Sequence, residues 1–249
     1  MSVNAEGEIL LNARGLCKSF GSVQALAEGS VTLRRGEIMV LVGDNGAGKS
    51  TLIKCLSGVL SPDGGVVNIG GEERSRLSIR EARRLGIAVV YQDLALVDAL
   101  DVASNIWLGL EPVKGGIFLD RRRMVRDARA LLERLSINLK ADGGPVGRLS
   151  GGQRQAVAVA RAIAQGGRIL ILDEPSAAMG VRESEHLLEI MCSLRKEGMA
   201  MLWISHNLPQ ILQAADRVTV MRGGRTVREA QAAGLNPLDL AGWMAGALT

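Results

Sequence analysis

Phosphate binding is the chemistry predicted by one short stretch, Gly43-Asp44-Asn45-Gly46-Ala47-Gly48-Lys49-Ser50. Its three glycines let main-chain N–H groups approach phosphate oxygens and permit positive φ angles. Lys49 supplies a compact cation for the β- and γ-phosphates, and the Ser50 hydroxyl can bind the Mg²⁺ that bridges them. An apolar run precedes the stretch and a helix-like segment follows, which is the context of a P-loop. The alternative is a glycine-rich turn between a strand and a helix.

Two carboxylates, Asp173 and Glu174, follow the apolar run Ile169-Leu170-Ile171-Leu172. The run predicts a buried parallel strand, and α/β sheets bind ligands at the carboxyl ends of such strands. Asp173 is then placed to hold Mg²⁺ through water, as a Walker B acid does, and Glu174 to act as a general base on the attacking water. The alternative is that the two acids begin a loop and cap the helix after Pro175.

A second glycine-containing helix start is Leu149-Ser150-Gly151-Gly152-Gln153. A serine followed by two glycines can bind an anion at a helix N-terminus, although alone the pattern is more often a plain N-cap. Together with Phe20, the P-loop, Gln92, Asp173-Glu174 and His206, in that order, it resembles the ABC ATPases, the ATP-binding-cassette family. The resemblance covers nearly the whole chain.

The resemblance implies a role for each motif. Phe20 would stack on adenine, Gln92 would sense Mg²⁺ and the attacking water, and His206 would contact the γ-phosphate and the catalytic carboxylate. The Ser150 helix start would cap ATP held by a second copy. The implied ATP contacts are Phe20, Gly43, Asp44, Asn45, Gly46, Ala47, Gly48, Lys49, Ser50, Thr51, Ser150, Gly151, Gly152 and Gln153. The implied Mg²⁺ contacts are Ser50, Gln92 and Asp173, and the implied catalytic residues are Glu174, His206, Gln92 and Lys49.

One loop departs from the wider family. After Asp173-Glu174-Pro175 most members read Ser/Thr-x-Ala-Leu-Asp, whereas Ser176-Ala177-Ala178-Met179-Gly180 ends in glycine. The missing acid puts the usual cross-dimer contact of this loop in question, but not hydrolysis. ATPases of bacterial monosaccharide importers of the ribose and fructose type share the departure. With a single intact cassette, the chain resembles the half-size, fructose-type branch.

Composition narrows the possible functions. A chain of 249 residues can bury a full α/β core but cannot hold two complete nucleotide-binding domains. Aromatic residues make up only 2%, which leaves little for base stacking, so nucleic acid is not an expected partner. The net charge of +4 is small, and the basic run Arg121-Arg122-Arg123 with Arg126 and Arg129 is expected to be a solvated helix face. Three scattered cysteines predict reduced thiols in a cytosolic protein, and neither a signal peptide nor a membrane-spanning run is expected.

Apolar periodicity predicts the elements that must position these residues. The predicted strands cover residues 9–16, 30–33, 38–42, 66–69, 87–91, 169–172, 200–205 and 217–221. The predicted helices cover residues 50–56, 80–85, 101–110, 121–135, 153–164, 182–196 and 208–215, with Asp120 as the N-cap of the fourth. Strand signals disappear between residues 93 and 147, which predicts a helical insertion.

We therefore expect one ABC ATPase domain over residues 1–249, of the α/β P-loop NTPase class. The RecA-like core should cover about 1–92 and 150–249, with an N-terminal antiparallel β layer and a helical subdomain at about 93–149. Two copies are expected to close around ATP and Mg²⁺ and to drive integral membrane permease subunits, docked near residues 92–107, from the cytoplasmic face of the bacterial inner membrane. An extracytoplasmic sugar-binding protein would act indirectly.

Three alternatives stay open. They are a soluble ABC ATPase of nucleic-acid repair or translation, the ATPase subunit of an exporter, and a non-catalytic nucleotide sensor.

Overall fold

One ten-stranded sheet organises the computed structural model, which describes residues 7–176 and 179–247. The strands in chain order are β1 (Ile9–Phe20), β2 (Val23–Arg34), β3 (Ile38–Val42), β4 (Gly64–Ile69), β5 (Glu72–Arg74), β6 (Ile87–Val90), β7 (Val113–Lys114), β8 (Phe118–Leu119), β9 (Ile169–Asp173), β10 (Ala200–Ile204), β11 (Arg217–Arg222) and β12 (Arg225–Gln231). The spatial order is β5-β4-β1-β2-β12-β11-β3-β10-β9-β6, and β7 and β8 form a separate hairpin. The expectations for residues 1–6 and for Ala177 and Ala178 lie outside the described residues.

Five neighbouring strands, β6, β9, β10, β3 and β11, pair in parallel. Every residue of β3 and β10 is buried, because helices cover both faces of this part of the sheet. Buried parallel strands read as continuous apolar runs, which is why the sequence predicted them. Their register aligns Ile204 with both Leu41 and Asp173, and Val90 with Leu172, so the carboxyl ends of four strands meet at one edge.

The remaining large strands form an antiparallel layer. β1 pairs with β2 and β4, β4 with β5, and β12 joins this layer to β11. Leu52, Ile53 and Leu56 pack beneath the layer in a second hydrophobic core. The N-terminal strands are thereby fixed beside the loop that follows β3.

The helices are α1 (Lys49–Leu56), α2 (Ile79–Arg84), α3 (Val102–Ile106), α4 (Arg121–Arg134), α5 (Gly151–Ala164), α6 (Val181–Lys196), α7 (Leu208–Ala214) and α8 (Pro237–Ala245), with a short 3₁₀ turn at Val146–Arg148. Helix α4 begins as predicted, since the Asp120 carboxylate accepts the Arg123 N–H at 3.0 Å. Within the described ranges, every helix is too short or too polar to cross a bilayer.

Several elements differ from the sequence prediction. The hairpin β7–β8 lies inside the segment that was expected to be purely helical, so that expectation was wrong over residues 113–119. Helix α3 ends at Ile106 rather than at 110, because Gly109 adopts a φ of +80° and Pro112 follows. Strand β12 and helix α8 were not predicted at all.

Candidate active site

The loop between β3 and α1 requires glycine at three positions. Gly43, Gly46 and Gly48 have φ angles of +150°, +82° and +101°, which residues with side chains rarely adopt. A Cβ at Gly43 would lie 2.3 Å from the Met221 carbonyl oxygen, and one at Gly48 would lie 2.8 Å from that of Ala25. The loop therefore packs tightly against β11 and β2, while the backbone from Asp44 to Gly46 stays exposed.

Lys49 begins α1 and folds back over this loop. Its Nζ donates hydrogen bonds to the carbonyl oxygens of Gly43 at 2.6 Å and Asp44 at 2.9 Å. Burial lowers the pKa of Lys49, while the carboxylates of Glu174, Asp44 and Asp173 act in the opposite direction. A buried ammonium group is thereby held at the mouth of the loop, with acidic groups around it.

Ser50 and Thr51 occupy the first turn of α1, where the backbone N–H groups of a helix lack intrahelical acceptors. The Ser50 side chain is exposed, and Thr51 is half-buried. Donors, a cation and the positive end of a helix dipole therefore converge on one small region. This arrangement favours an anion such as a phosphate group.

Asp173 and Glu174 stand at the carboxyl end of β9. The Glu174 Oε1 lies 2.7 Å from the His206 Nε2, although the two residues are 32 positions apart. Burial raises the pKa of Asp173, the Glu174 charge adds to that rise, and Lys49 opposes it. Glu174 and His206, with Ser176, Ser205 and Asn207, line a cleft of about 380 Å³. The parallel pairing of β9 and β10 is what brings the acid and the imidazole together.

The backbone of Glu174 is left-handed, with a φ of +49°. This conformation is uncommon for a residue with a side chain and costs about 1–2 kcal/mol. The Glu174 N–H donates to the Ile204 carbonyl oxygen at 3.1 Å, which fixes the strained residue to β10. Backbone strain held in place by neighbouring strands is typical of functional sites.

Gln92 lies two residues beyond the end of β6. Because Val90 is aligned with Leu172, the register places Gln92 level with Glu174 at the same edge of the sheet. Its side chain is exposed and makes no hydrogen bond to any other described residue.

The Ser150 helix start is built as a capping box. Gln153 N–H donates to Ser150 Oγ at 3.3 Å, and Ser150 N–H donates to Gln153 Oε1 at 3.0 Å. Gly152 is buried, and a Cβ there would lie 2.7 Å from the Cβ and Cγ atoms of Glu183. Among the described residues, no hydrogen bond or ion pair joins this helix start to the chain's own P-loop. Ser150 therefore does act as an N-cap. Ser150, Gly151 and Gln153 are also exposed, so they remain accessible to a ligand or a partner.

Phe20 ends β1 with 48% of its surface exposed. Lys18 Nζ lies 5.8 Å from the centre of its ring. About half of the residue is exposed, so the ring is accessible to a flat ligand. The antiparallel layer holds this ring beside β2, the strand against which the P-loop packs.

Sequence reasoning missed two positioning residues. Ser205 Oγ accepts the Asn207 N–H at 3.1 Å and so shapes the turn that carries His206. Glu183 Oε2 accepts the Gly180 N–H at 2.8 Å. A signal for Glu183 existed in its spacing, since an acid three residues after a helix start is the capping-box position. No pattern in the local sequence predicts that Glu183 packs against Gly152.

The oxygen donors suit Mg²⁺. Ser50 offers a hydroxyl, Asp173 a half-buried carboxylate and Gln92 an amide oxygen, which are the hard ligands that Mg²⁺ prefers. Among the described residues, no cluster of three or more His, Cys, Asp or Glu side chains forms a metal site. A sparse protein set still fits, because Mg²⁺ usually keeps several waters and completes its shell with substrate phosphates.

Comparison with known proteins places this geometry in a family. A family model described as ABC transporter matches residues 26–177. The fructose import ATP-binding protein of Rhizobium meliloti is 46% identical over 225 residues, covering 88% of this chain and 86% of that protein. The chain belongs to the ABC transporter family.

A ribose import ATP-binding protein of Chromobacterium violaceum is 43% identical over 220 residues, and the match spans 88% of this chain but only 44% of that longer protein. The crystal structure of a nucleotide-free ATP-binding cassette from an ABC transporter superposes with a TM-score of 0.81 at 26% identity, covering 90% of this chain and 91% of that one. The predicted fold class, an α/β P-loop ABC ATPase, is therefore confirmed.

Proposed function

We propose that this chain is the ATP-hydrolysing subunit of an ABC importer that takes up a monosaccharide of the fructose or ribose kind through a separate permease. One observation carries the proposal. The buried Lys49 over a glycine loop and the Glu174–His206 pair lie at the same edge of a parallel sheet, in a chain whose relatives are named as sugar import ATP-binding proteins.

The chain's own groups do most of the binding. Exposed N–H groups from Asp44 to Gly46 and the first turn of α1 hold the β- and γ-phosphates, and Lys49 leaves its two carbonyl acceptors to pair with them. Phe20 stacks on the adenine. Ser50 and Asp173, with Gln92, would hold Mg²⁺, which would neutralise charge on the phosphates.

Glu174 accepts the proton of the attacking water. The His206 Nε2, 2.7 Å from the Glu174 Oε1, orients the carboxylate, and the Ile204 carbonyl oxygen fixes the backbone of Glu174. In-line attack on a phosphate needs little covalent chemistry, so positioning and charge neutralisation account for the rate enhancement.

A second copy of the chain completes each site. The Ser150 helix start is exposed and makes no contact with its own P-loop, yet its capping box presents a helix N-terminus suited to an anion. In a dimer, this tip with Gly151, Gly152 and Gln153 meets the γ-phosphate held by the partner. ATP is then enclosed between two molecules.

We assign residues 1–249 to one domain, with a RecA-like core at about 1–92 and 150–249 and a helical subdomain at about 93–149. Permease subunits dock near residues 92–107, where Gln92 reports the state of the site. The dimer sits on the cytoplasmic face of the inner membrane, and an extracytoplasmic binding protein supplies the sugar. The sugar-import names of the relatives favour this assignment over a repair or translation ATPase and over an exporter.

Uptake measured in cells tests the proposal. A strain lacking this chain should lose accumulation of labelled fructose, ribose or xylose, and wild-type chain but not Lys49→Ala should restore it. Unchanged uptake of all three with increased retention of an exported compound would favour an exporter. Co-purification with ribosomes or DNA and no membrane fraction would favour the soluble alternative.

A further inference from the structure

The hairpin β7–β8 exposes an apolar tip. Its two strands are joined by Gly115-Gly116-Ile117, and Ile117 and Phe118 have 81% and 74% of their surfaces exposed. Phe118 is one of only two phenylalanines in the chain. Leu110, Val113 and Leu119 are each about half exposed. We call these five residues the hairpin tip.

The fold does not account for this exposure. Val113 pairs with Leu119, and Lys114 pairs with Phe118. The side chains of the first pair lie on one face of the ribbon, and those of the second pair lie on the other face. Both faces are exposed, and a two-stranded ribbon without a covered face is marginal in water. Contiguous exposed apolar side chains of this kind mark an interaction surface.

Helix α4, which begins two residues after the end of β8, carries several basic side chains. On α4, Arg122, Arg126 and Arg129 share one face at helical spacing, and with Val125 they line a shallow cleft of about 400 Å³. Within the described residues Arg122 and Arg129 have no ion-pair partner, while Arg126 pairs with its neighbour Asp127. Arg122 also lies in the first helical turn, where a positive charge opposes the helix dipole, so it does not serve helix stability.

Charge is concentrated in this segment. Residues 108–129 hold six basic and three acidic side chains, an excess of three in a chain whose total is +4. We propose that the hairpin tip and the arginine face of α4 bind the surface of an anionic lipid bilayer. This inference goes beyond the proposed ATPase function and does not depend on it.

A bilayer suits both parts of the surface better than a protein groove does. The tip presents apolar side chains on both faces and at the turn, which fits insertion into a soft acyl boundary rather than a shaped pocket with one contact face. Arginines that follow an apolar, aromatic segment in the chain are typical of interfacial binding, and each contributes by attraction to anionic headgroups. Such contact would hold the chain at a membrane surface.

Vesicle flotation of the purified full chain tests the proposal. We expect binding to vesicles of phosphatidylcholine with phosphatidylglycerol, weaker binding to phosphatidylcholine alone, and loss on raising salt. Ile117→Ser with Phe118→Ser should lower the partition coefficient at least about tenfold, by loss of apolar burial. Arg122→Gln and Arg126→Gln should each lower it about fivefold.

Two matched controls separate the surface from general effects. Leu238→Ser removes an apolar side chain that is also 81% exposed but lies on α8, and Arg168→Gln removes an exposed arginine that precedes β9. Both should bind as wild type does. The hairpin variant should keep the ATP hydrolysis and the melting temperature of the wild-type chain. A wild-type chain that binds vesicles but does not hydrolyse ATP would count against the proposed function and not against this surface.

Three results would overturn the inference. One is wild-type chain that stays in solution with both vesicle types. Another is a hairpin variant that floats as wild type does. The third is binding that appears only when permease is present in the vesicle, which would make the permease, rather than lipid, the occupant.

Discussion

Replacing Glu174 with glutamine is the most direct test of the site. Glu174→Gln preserves the length of the side chain and its contact with His206, 2.7 Å in the wild type, but removes the carboxylate that accepts a proton. Loss of a general base lowers turnover by about 10²- to 10⁴-fold. That corresponds to about 3 to 5 kcal/mol of transition-state stabilisation.

Binding should change differently from turnover. The Glu174 charge is among those that act on the Lys49 pKa, so the acid lies close enough to repel the phosphates that Lys49 attracts. Removing this charge should leave ATP affinity equal to that of wild type or tighter. Because hydrolysis stalls while binding persists, a closed dimer should accumulate in Mg-ATP.

Three measurements check these outcomes: phosphate release at saturating Mg-ATP, calorimetric ATP titration, and light scattering for dimer mass. Glu185→Gln is the matched control, since Glu185 is an exposed acid on α6 outside the site. Wild-type turnover in Glu174→Gln would refute the base assignment. A strictly monomeric Glu174→Gln chain at saturating Mg-ATP would refute the shared site.

The backbone of Glu174 provides a second, independent readout. Glu174→Ala and Glu174→Gly both lose the carboxylate and the His206 contact, so the difference between them isolates the φ of +49°. Glycine should be the more stable of the two by about 1 kcal/mol, opposite to its usual effect. The melting temperature of the glycine variant should therefore be about 2–4 °C above that of the alanine variant. An alanine variant as stable as the glycine variant would contradict the left-handed conformation.

Three further predictions test other parts of the structure. Lys49→Ala should weaken ATP binding about 10- to 100-fold, by loss of a charged hydrogen-bond donor, and unchanged affinity by calorimetry would contradict the P-loop assignment. Gly152→Ala should lower the free energy of unfolding in denaturant by about 1–3 kcal/mol, because its Cβ would lie 2.7 Å from Glu183, and an unchanged midpoint would contradict that packing. Burial raises the pKa of the Cys55 thiol to about 11, so peptide mapping should find it unmodified by iodoacetamide at pH 8 in the folded chain. The stability that this shift contributes is present below the ordinary thiol pKa of 9.0 and is lost as the pH rises toward 11, and rapid alkylation of folded chain would contradict the burial.

The sequence predicted the parallel strands well, because each is an apolar run that only burial on both faces explains. It failed at β12, where exposed and half-buried positions alternate and charged residues such as Arg225, Arg228 and Glu229 dominate. That strand exists because β11 offers a partner along its whole length, which is a tertiary fact. Helix α8 could have been predicted but was missed. Asn236 and Asp239 form a capping box at its start, and their spacing is visible in the sequence.

For the site, residue types were predictable but distances were not. The glycine loop, Lys49 and the acids after β9 are indicated by their local spacing. The contact between Glu174 and His206 depends on two strands lying side by side, and no local pattern encodes which strands become neighbours. The φ of +49° at Glu174 was equally unpredictable, because an acid gives no hint of a left-handed backbone.

The contact between Glu183 and Gly152 links two loops that the sequence treats as separate. Glu183 Oε2 accepts the N–H of Gly180, the position where the family resemblance leads us to expect an acid, so a carboxylate three residues away lies beside this position. A Cβ on Gly152 would lie 2.7 Å from the Cβ and Cγ of Glu183, so this side chain also packs closely against the start of α5. A displacement of Glu183 would therefore act both on the backbone at Gly180 and on the start of α5. Under the proposed function, this side chain links Gly180 to the helix tip that is offered to a second copy's nucleotide.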